Sequence, residues 1–283
     1  MSAQDFIQLK DGVRLSFTQT GEPRNPNLLF LNGWRQTAAQ WRKQVEHFEK
    51  NFRVTIYDYR GHGESDKPLS GYNILTFVSD LNEVLQKLDL KDITIVGHSM
   101  GSTLVWGLWK YHPESRDRIS RFVSVDGSPC MLIDPSWTSK ETKDFGGVFT
   151  QDQLDSMAGA FDAVMPGVIR GMFTDKISEE DFAWIWDQNQ KMPSAAAAEL
   201  FVDTMSRDWR DVVSTVDVPT LIVGGEASVL QEETPRWLHK QIPRSRLHLF
   251  GKEEGGHFVF WESPESFNKV LYDFLRKSEG EER

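Results

Sequence analysis

The chain has 283 residues, of which 39% are apolar, with 18 Phe and 10 Trp; that is enough for one large α/β domain with an insertion and excludes a disordered chain. A formal net charge of −10, with acidic residues concentrated only at Glu279–Glu282, argues against nucleic acid or an anionic membrane surface as partner, because both are bound through basic patches. Cys130 is the single cysteine, the N-terminal stretch has no basic segment followed by an apolar one, and no run is long enough to span a bilayer; a cytoplasmic protein without an internal disulfide is expected.

In chain order, Val13–Thr18 and Leu28–Leu31 read as strands, Thr37–Lys50 as a helix, Phe52–Tyr57 as a strand and Ile74–Leu88 as a helix. Ile93–Val96 is the next strand, Ser99–Tyr111 the next helix and Arg121–Val125 a further strand. The same rhythm resumes with strands Pro219–Val223 and Arg246–Phe250 and the helix Pro264–Leu275. Nearly continuous apolar strands separated by helices predict a mostly parallel sheet covered on both faces. Ser128–Arg210 breaks the alternation. It is helical in flavour, most clearly at Ala195–Met205, and rich in Phe, Trp and Met. Most of these side chains are expected to form a small core of their own, and a minority to face a site and make it apolar.

Residues 97–101 read Gly-His-Ser-Met-Gly between the apolar run Ile93–Val96 and the helix that follows. G-x-S-x-G at a strand-to-helix turn forces the central residue into a strained conformation, and the small residues on either side let the chain pass close to itself. Ser99 Oγ then stands proud of the sheet edge, with the Met100 N–H aimed at the same point. Two further strings fall at strand ends: Asn32-Gly33-Trp34 after Leu28–Leu31, and Asp58-Tyr59-Arg60-Gly61-His62-Gly63-Glu64-Ser65 after Phe52–Tyr57. Among seven histidines, His257 follows Gly255-Gly256 beyond the last predicted strand, on a loop able to carry an imidazole back over the sheet. His47, His112, His239 and His248 lie in regular patterns and read as surface or satisfied core residues.

From Val13 to Leu275 the chain resembles the α/β-hydrolase fold, whose order is serine early and histidine last. The resemblance implies an eight-stranded, mostly parallel sheet with helices on both faces, formed by residues 1–127 and 211–283, and a helical cap, 128–210, inserted after strand six. It implies a Ser99 nucleophile, a His257 general base and a carboxylate that orients the imidazole. Backbone N–H groups of Trp34 and Met100 would form the oxyanion hole. The string Asp58–Ser65 marks the fold and is expected to be structural. His98, beside the nucleophile, is expected to pack or position; it joins Trp34, Trp137, Trp184 and Trp186 as candidate substrate contacts. Neither a metal nor a cofactor is implied, and the expected partner is an apolar small molecule.

The carboxylate departs from the pattern. Most members carry it after strand seven in a string like Gly-x-x-Asp, and here that position is Ser228, whose hydroxyl cannot carry the charge that stabilises an imidazolium. Glu226 is close, but its place in the turn points it elsewhere, and Glu232 and Glu233 fall on the following helix. Asp126, at the end of Arg121–Val125, is the stronger candidate; its alternative role is to cap the turn Gly127-Ser128-Pro129. An acid after strand six also resembles a small branch of the fold, the cofactor-free dioxygenases that open 3-hydroxy-4-quinolone rings with a His–Asp pair, although that branch tends to have histidine where Gln36 and Met100 stand. The leading expectation is hydrolysis of a carboxylic ester or lactone by a Ser-His-Asp triad. Cofactor-free dioxygenation is the alternative, and a non-enzymatic ligand receptor is the third reading. Epoxide hydrolase and haloalkane dehalogenase chemistry needs a carboxylate nucleophile, which position 99 lacks. Cys130 reads as a buried structural thiol or a residue at the cap entrance.

Overall fold

The computed structural model describes residues 5–276, so the acidic run Glu279–Glu282 lies outside the described residues. The first strands are β1 (Asp5–Gln8), β2 (Arg14–Thr20), β3 (Asn27–Leu31) and β4 (Arg53–Tyr57), with helix α1 (Arg42–Phe48) between the last two. Then come α2 (Ile74–Lys87), β5 (Ile93–His98), α3 (Met100–Tyr111) and β6 (Ile119–Val125). Five helices follow before the sheet resumes: α4 (Ser139–Phe145), α5 (Gln151–Gly159), α6 (Phe161–Arg170), α7 (Glu179–Gln190) and α8 (Ser194–Met205). The chain closes with α9 (Arg210–Val213), β7 (Thr220–Gly225), α10 (Glu233–Gln241), β8 (Ser245–Phe250), α11 (Val259–Glu262) and α12 (Pro264–Arg276).

The eight strands form one sheet in the order β1-β2-β4-β3-β5-β6-β7-β8. Pairings from β4 through β8 are parallel, and only β1–β2 and β2–β4 are antiparallel. Every residue of β5 and β7 is buried. Since successive side chains of a strand point to opposite faces, burial at every position means that helices cover both faces. On the helical layers α2 packs on α3, and α1 on α12. No helix among the described residues is long and apolar enough to cross a membrane.

One predicted helix is divided and one strand is not predicted. The expected helix Thr37–Lys50 is a 3-10 turn, Ala38–Trp41, followed by α1, because the Asp58 carboxylate accepts from the Ala38 N–H at 2.8 Å and tightens the first turn. Strand β1 has no counterpart in the periodicity; at four residues it is too short to alternate visibly, and it is held by pairing with β2. The string Asp58–Ser65 is structural throughout. Arg60 forms a buried ion pair with Asp80 at 2.6 Å and a second with Asp11 at 2.8 Å, and Ser65 Oγ donates to the Asp58 carbonyl at 2.6 Å.

Candidate active site

Between the last residue of β5 and the first of α3 stands Ser99, at φ 51° and ψ −115°. A non-glycine residue with positive φ is strained and persists only where its surroundings fix it. Here the Ser99 N–H donates to the Val125 carbonyl at 2.9 Å. A Cβ on Gly97 would lie 2.6 Å from the Gly101 carbonyl carbon, and one on Gly101 would lie 2.6 Å from the Leu31 carbonyl oxygen. Both glycines are therefore required: the first lets the turn fold on itself, the second lets α3 start against the end of β3. That close approach brings the Asn32-Gly33-Trp34 loop beside the elbow.

Asp126 directly follows β6, and its N–H donates to the Val223 carbonyl at 2.8 Å, extending the β6–β7 ladder by one bond. Its side chain meets His257 Nδ1 through Oδ2 at 2.5 Å, with only 6% of the His257 side chain and 2% of the Asp126 side chain exposed. The carboxylate oxygen is the acceptor and Nδ1 the donor in this contact, which leaves Nε2 as the ring nitrogen not engaged by Asp126. The His257 loop is anchored by its own N–H, which donates to the Met172 carbonyl at 3.2 Å. Ser228 takes part from the position where the family resemblance puts the acid: its hydroxyl donates to Asp126 Oδ2 and accepts from the Leu230 N–H at 3.0 Å. Glu226 is exposed. Glu232 pairs with Arg236 at 2.9 Å, and Glu233 with Lys143 at 3.6 Å.

His98 lies beneath this pair rather than in the site. Fully buried, it donates from Nε2 to the His257 carbonyl at 2.9 Å, and its ring sits 4.6 Å from the His257 ring. Burial, reinforced by the neighbouring His257, pushes its pKa well below the ordinary value, so it is a neutral support for the His257 loop.

Ser99, His257, Asp126, Trp34 and Met100 line one enclosed cavity of about 20 Å³, roughly the room of one water molecule. Its remaining wall mixes apolar side chains, Met131, Met205, Trp209 and Leu230, with the polar Thr103, Ser128, Thr204 and Arg207. The α8 end thus reaches the Ser99 cavity. Three predicted contacts do not line this cavity. Trp137 borders a separate groove of about 550 Å³ together with Cys130 and Arg210, with Arg210 4.7 Å from its ring. Trp184 stacks on Trp261 at 5.1 Å and carries Arg42 at 4.2 Å. Trp186 faces Arg35 at 5.7 Å. Each is occupied in fastening the helical segment, as large rings beside cations tend to be. Cys130 is buried, and burial pushes its thiol up to about 11, so it is inert. Sequence reasoning missed Ser228 as a partner of the acid, and Met131, Met205 and Arg207 as cavity wall. None of them stands in a motif; Met205 and Arg207 join Ser99 in lining the cavity because the end of α8 comes to it. A wider concavity of about 750 Å³ between α1 and α12 is lined by groups such as Lys43, His47 and Tyr272 and lies apart from this chemistry. Among the described residues no three His, Cys, Asp or Glu side chains are grouped to hold a metal ion.

Residues 26–264 match the family model described as alpha/beta hydrolase fold. The non-heme chloroperoxidase CPO-A1 of Kitasatospora aureofaciens is 28% identical over 283 residues, covering 95% of this chain and 98% of that protein. Epoxide hydrolase 3 of Xenopus tropicalis is 32% identical over 288 residues, covering 96% of this chain and 77% of the relative. Among solved structures, the esterase EaEST of Exiguobacterium antarcticum superposes with a TM-score of 0.86 at 26% identity, covering 97% of this chain and all 100% of its own. The chain belongs to the alpha/beta hydrolase fold family.

Proposed function

We propose that this protein is a serine hydrolase that cleaves a carboxylic ester or lactone of an apolar small molecule. Ser99 Oγ attacks the carbonyl carbon while His257 Nε2 takes its proton, and Asp126 stabilises the imidazolium. The Trp34 and Met100 N–H groups hold the oxyanion, a contribution of about 3–4 kcal/mol per donor in comparable enzymes. The imidazolium then protonates the leaving alkoxide, and water activated by His257 releases the acid from Ser99. Residues 128–210 act as a cap over a core of 1–127 and 211–283, and the chain works in the cytoplasm. The observation that carries this reading is the 2.5 Å His257–Asp126 contact beside a serine held at φ 51°.

The test uses p-nitrophenyl butyrate and a fluorophosphonate. Ser99→Ala is expected to abolish turnover and covalent labelling together; labelling that survives Ser99→Ala overturns the reading. A second reading is favoured by one observation, the acid placed after β6: the His257–Asp126 pair could deprotonate a 3-hydroxy-4-quinolone-like heteroaromatic that then reacts with dioxygen. Under it Ser99→Ala slows the reaction while His257→Ala is far worse. No oxygen uptake with such a substrate removes it, and tight ligand binding without turnover favours a receptor instead.

A further inference from the structure

Three residues beyond the end of β3, Trp34, Arg35 and Thr37, reach into the helical segment, and the one with the most contacts there is Arg35. It has positive φ, 58°, which a long side chain adopts only when something else fixes it. It is also 1% exposed, and no carboxylate is bonded to it. Instead its Nε donates to the Asn189 carbonyl, at the C-terminal end of α7, at 3.2 Å, and its Nη2 donates to Ser194 Oγ, at the start of α8, at 3.4 Å. The guanidinium lies 5.3 Å from the Phe161 ring and 5.7 Å from the Trp186 ring. A cation at a helix C-terminus between two aromatic faces is compensated there by the helix dipole and the rings, and Asp162 on α6 adds an attraction without a direct bond. Nη1 keeps no hydrogen-bond partner.

The neighbours of Arg35 follow the same course. Trp34 Nε1 donates to the Ala197 carbonyl on α8 at 3.0 Å, and its ring packs on Phe161 and Phe201. Thr37 Oγ1 donates to Gln188 Oε1 at 3.0 Å. The loop that brings Trp34 to the Ser99 cavity is therefore held on two sides: by α6, α7 and α8 through Trp34, Arg35 and Thr37, and at its ends by the end of β4 and the residues after it, where Asn32 meets Tyr57 and Tyr59 and the Ala38 N–H meets Asp58. Within that set Arg35 is the one residue that joins all three helices while its own backbone is strained.

We propose that Arg35 is a positioning residue of the oxyanion loop: by locking its side chain into α6–α8 it holds the Trp34 N–H toward the space above Ser99, so that the oxyanion hole is complete only while the helical segment is docked. This inference rests on the serine-hydrolase reading above. Arg35 itself touches no reacting atom, so its removal disturbs the transition state more than the bound ester.

The experiment compares wild type with Arg35→Ala, Arg35→Gln and Arg35→Lys, measuring kcat and KM for p-nitrophenyl butyrate, the rate constant of fluorophosphonate inactivation, and Tm. Phosphonylation uses the same hole, so both rates are expected to fall together by about 10- to 100-fold in Arg35→Ala, with KM within about threefold, as a misplaced donor predicts. Arg35→Lys, which keeps the charge and one donor, is expected to recover part of the loss, and Arg35→Gln is not. Should Arg35→Ala fail to fold, the Gln and Lys variants give the same reading. Folded variants with kcat and inactivation rate within about twofold of wild type, or with a change confined to KM, overturn the role of Arg35 alone. A wild-type protein inert to both ester and fluorophosphonate overturns the hydrolase reading, and this inference with it.

Discussion

Replacing Asp126 with Asn removes one negative charge and almost nothing else. The Asn carbonyl oxygen can occupy the Oδ2 position, where it still accepts from His257 Nδ1 and from the Ser228 hydroxyl. In the mechanism proposed above, the loss is therefore the attraction between a carboxylate and the imidazolium that forms when His257 takes the serine proton. For charges centred about 4 Å apart at an effective dielectric constant of about 20, that attraction is about 4 kcal/mol. The two side chains are 6% and 2% exposed, so water screens little of it. At about 1.4 kcal/mol per decade, kcat/KM for p-nitrophenyl butyrate should fall about 10³-fold while Tm holds within a few degrees. Adding Ser228→Asp returns a carboxylate to the neighbouring position that already touches Asp126, and the double variant should regain at least about tenfold over Asp126→Asn. A loss smaller than about tenfold in the single variant would refute the argument, because it would mean that the imidazolium is stabilised from elsewhere.

Three other expectations follow from packing and burial. Gly101→Ala places a methyl 2.6 Å from the Leu31 carbonyl oxygen; overpacking against backbone should cost about 1–3 kcal/mol, read as a lower urea midpoint, and an unchanged midpoint would show that β3 yields freely. Burial pushes His62 down to about 4 from 6.5, so between those values the unfolded chain binds more protons and stability falls as pH drops from 6.5 toward 4. The full effect is about 3 kcal/mol, and urea unfolding of His62→Gln at a series of pH values should show a shallower acid slope; an unchanged slope contradicts the burial argument. Trp184, stacked on Trp261 away from the cavity, should be replaceable by Ala with KM for the ester within about threefold, although Tm falls; a tenfold rise in KM would return it to the substrate site.

The core strands and the elbow were legible because their signals are local: apolar runs between helical stretches, and a G-x-S-x-G whose glycines answer close backbone contacts. Asp126 was legible by a different route, from the hydroxyl at Ser228 where the family pattern has an acid. The same reasoning stopped at dismissing Ser228. That its hydroxyl would point at Asp126 depends on how the turn after β7 meets the end of β6, two segments a hundred residues apart in the chain. The aromatics of the helical segment failed for a related reason. Trp137, Trp184 and Trp186 sit in a stretch whose helices have apolar residues on several sides, so their directions follow from which helix each one meets. Cations decided it: Arg210, Arg42 and Arg35 lie over these rings, and none of those pairings is encoded in helical spacing. His98 was placed next to the nucleophile correctly in sequence, yet the strand's alternation turns it under the sheet edge, toward the histidine loop.

Three of the groups around the Ser99 cavity are methionines: Met100, Met131 and Met205. An unbranched thioether turns about three bonds at little cost, so walls built from it take the outline of whatever enters. A rigid wall of branched or aromatic side chains would reject a longer acyl chain abruptly; for the ester proposed above, a methionine wall is expected to grade it. Each added methylene is worth about 0.8 kcal/mol of burial against a surface that can move aside. Under the hydrolase reading, selectivity among apolar esters is expected to fall gently with chain length, to a limit set by Trp34 and Trp209.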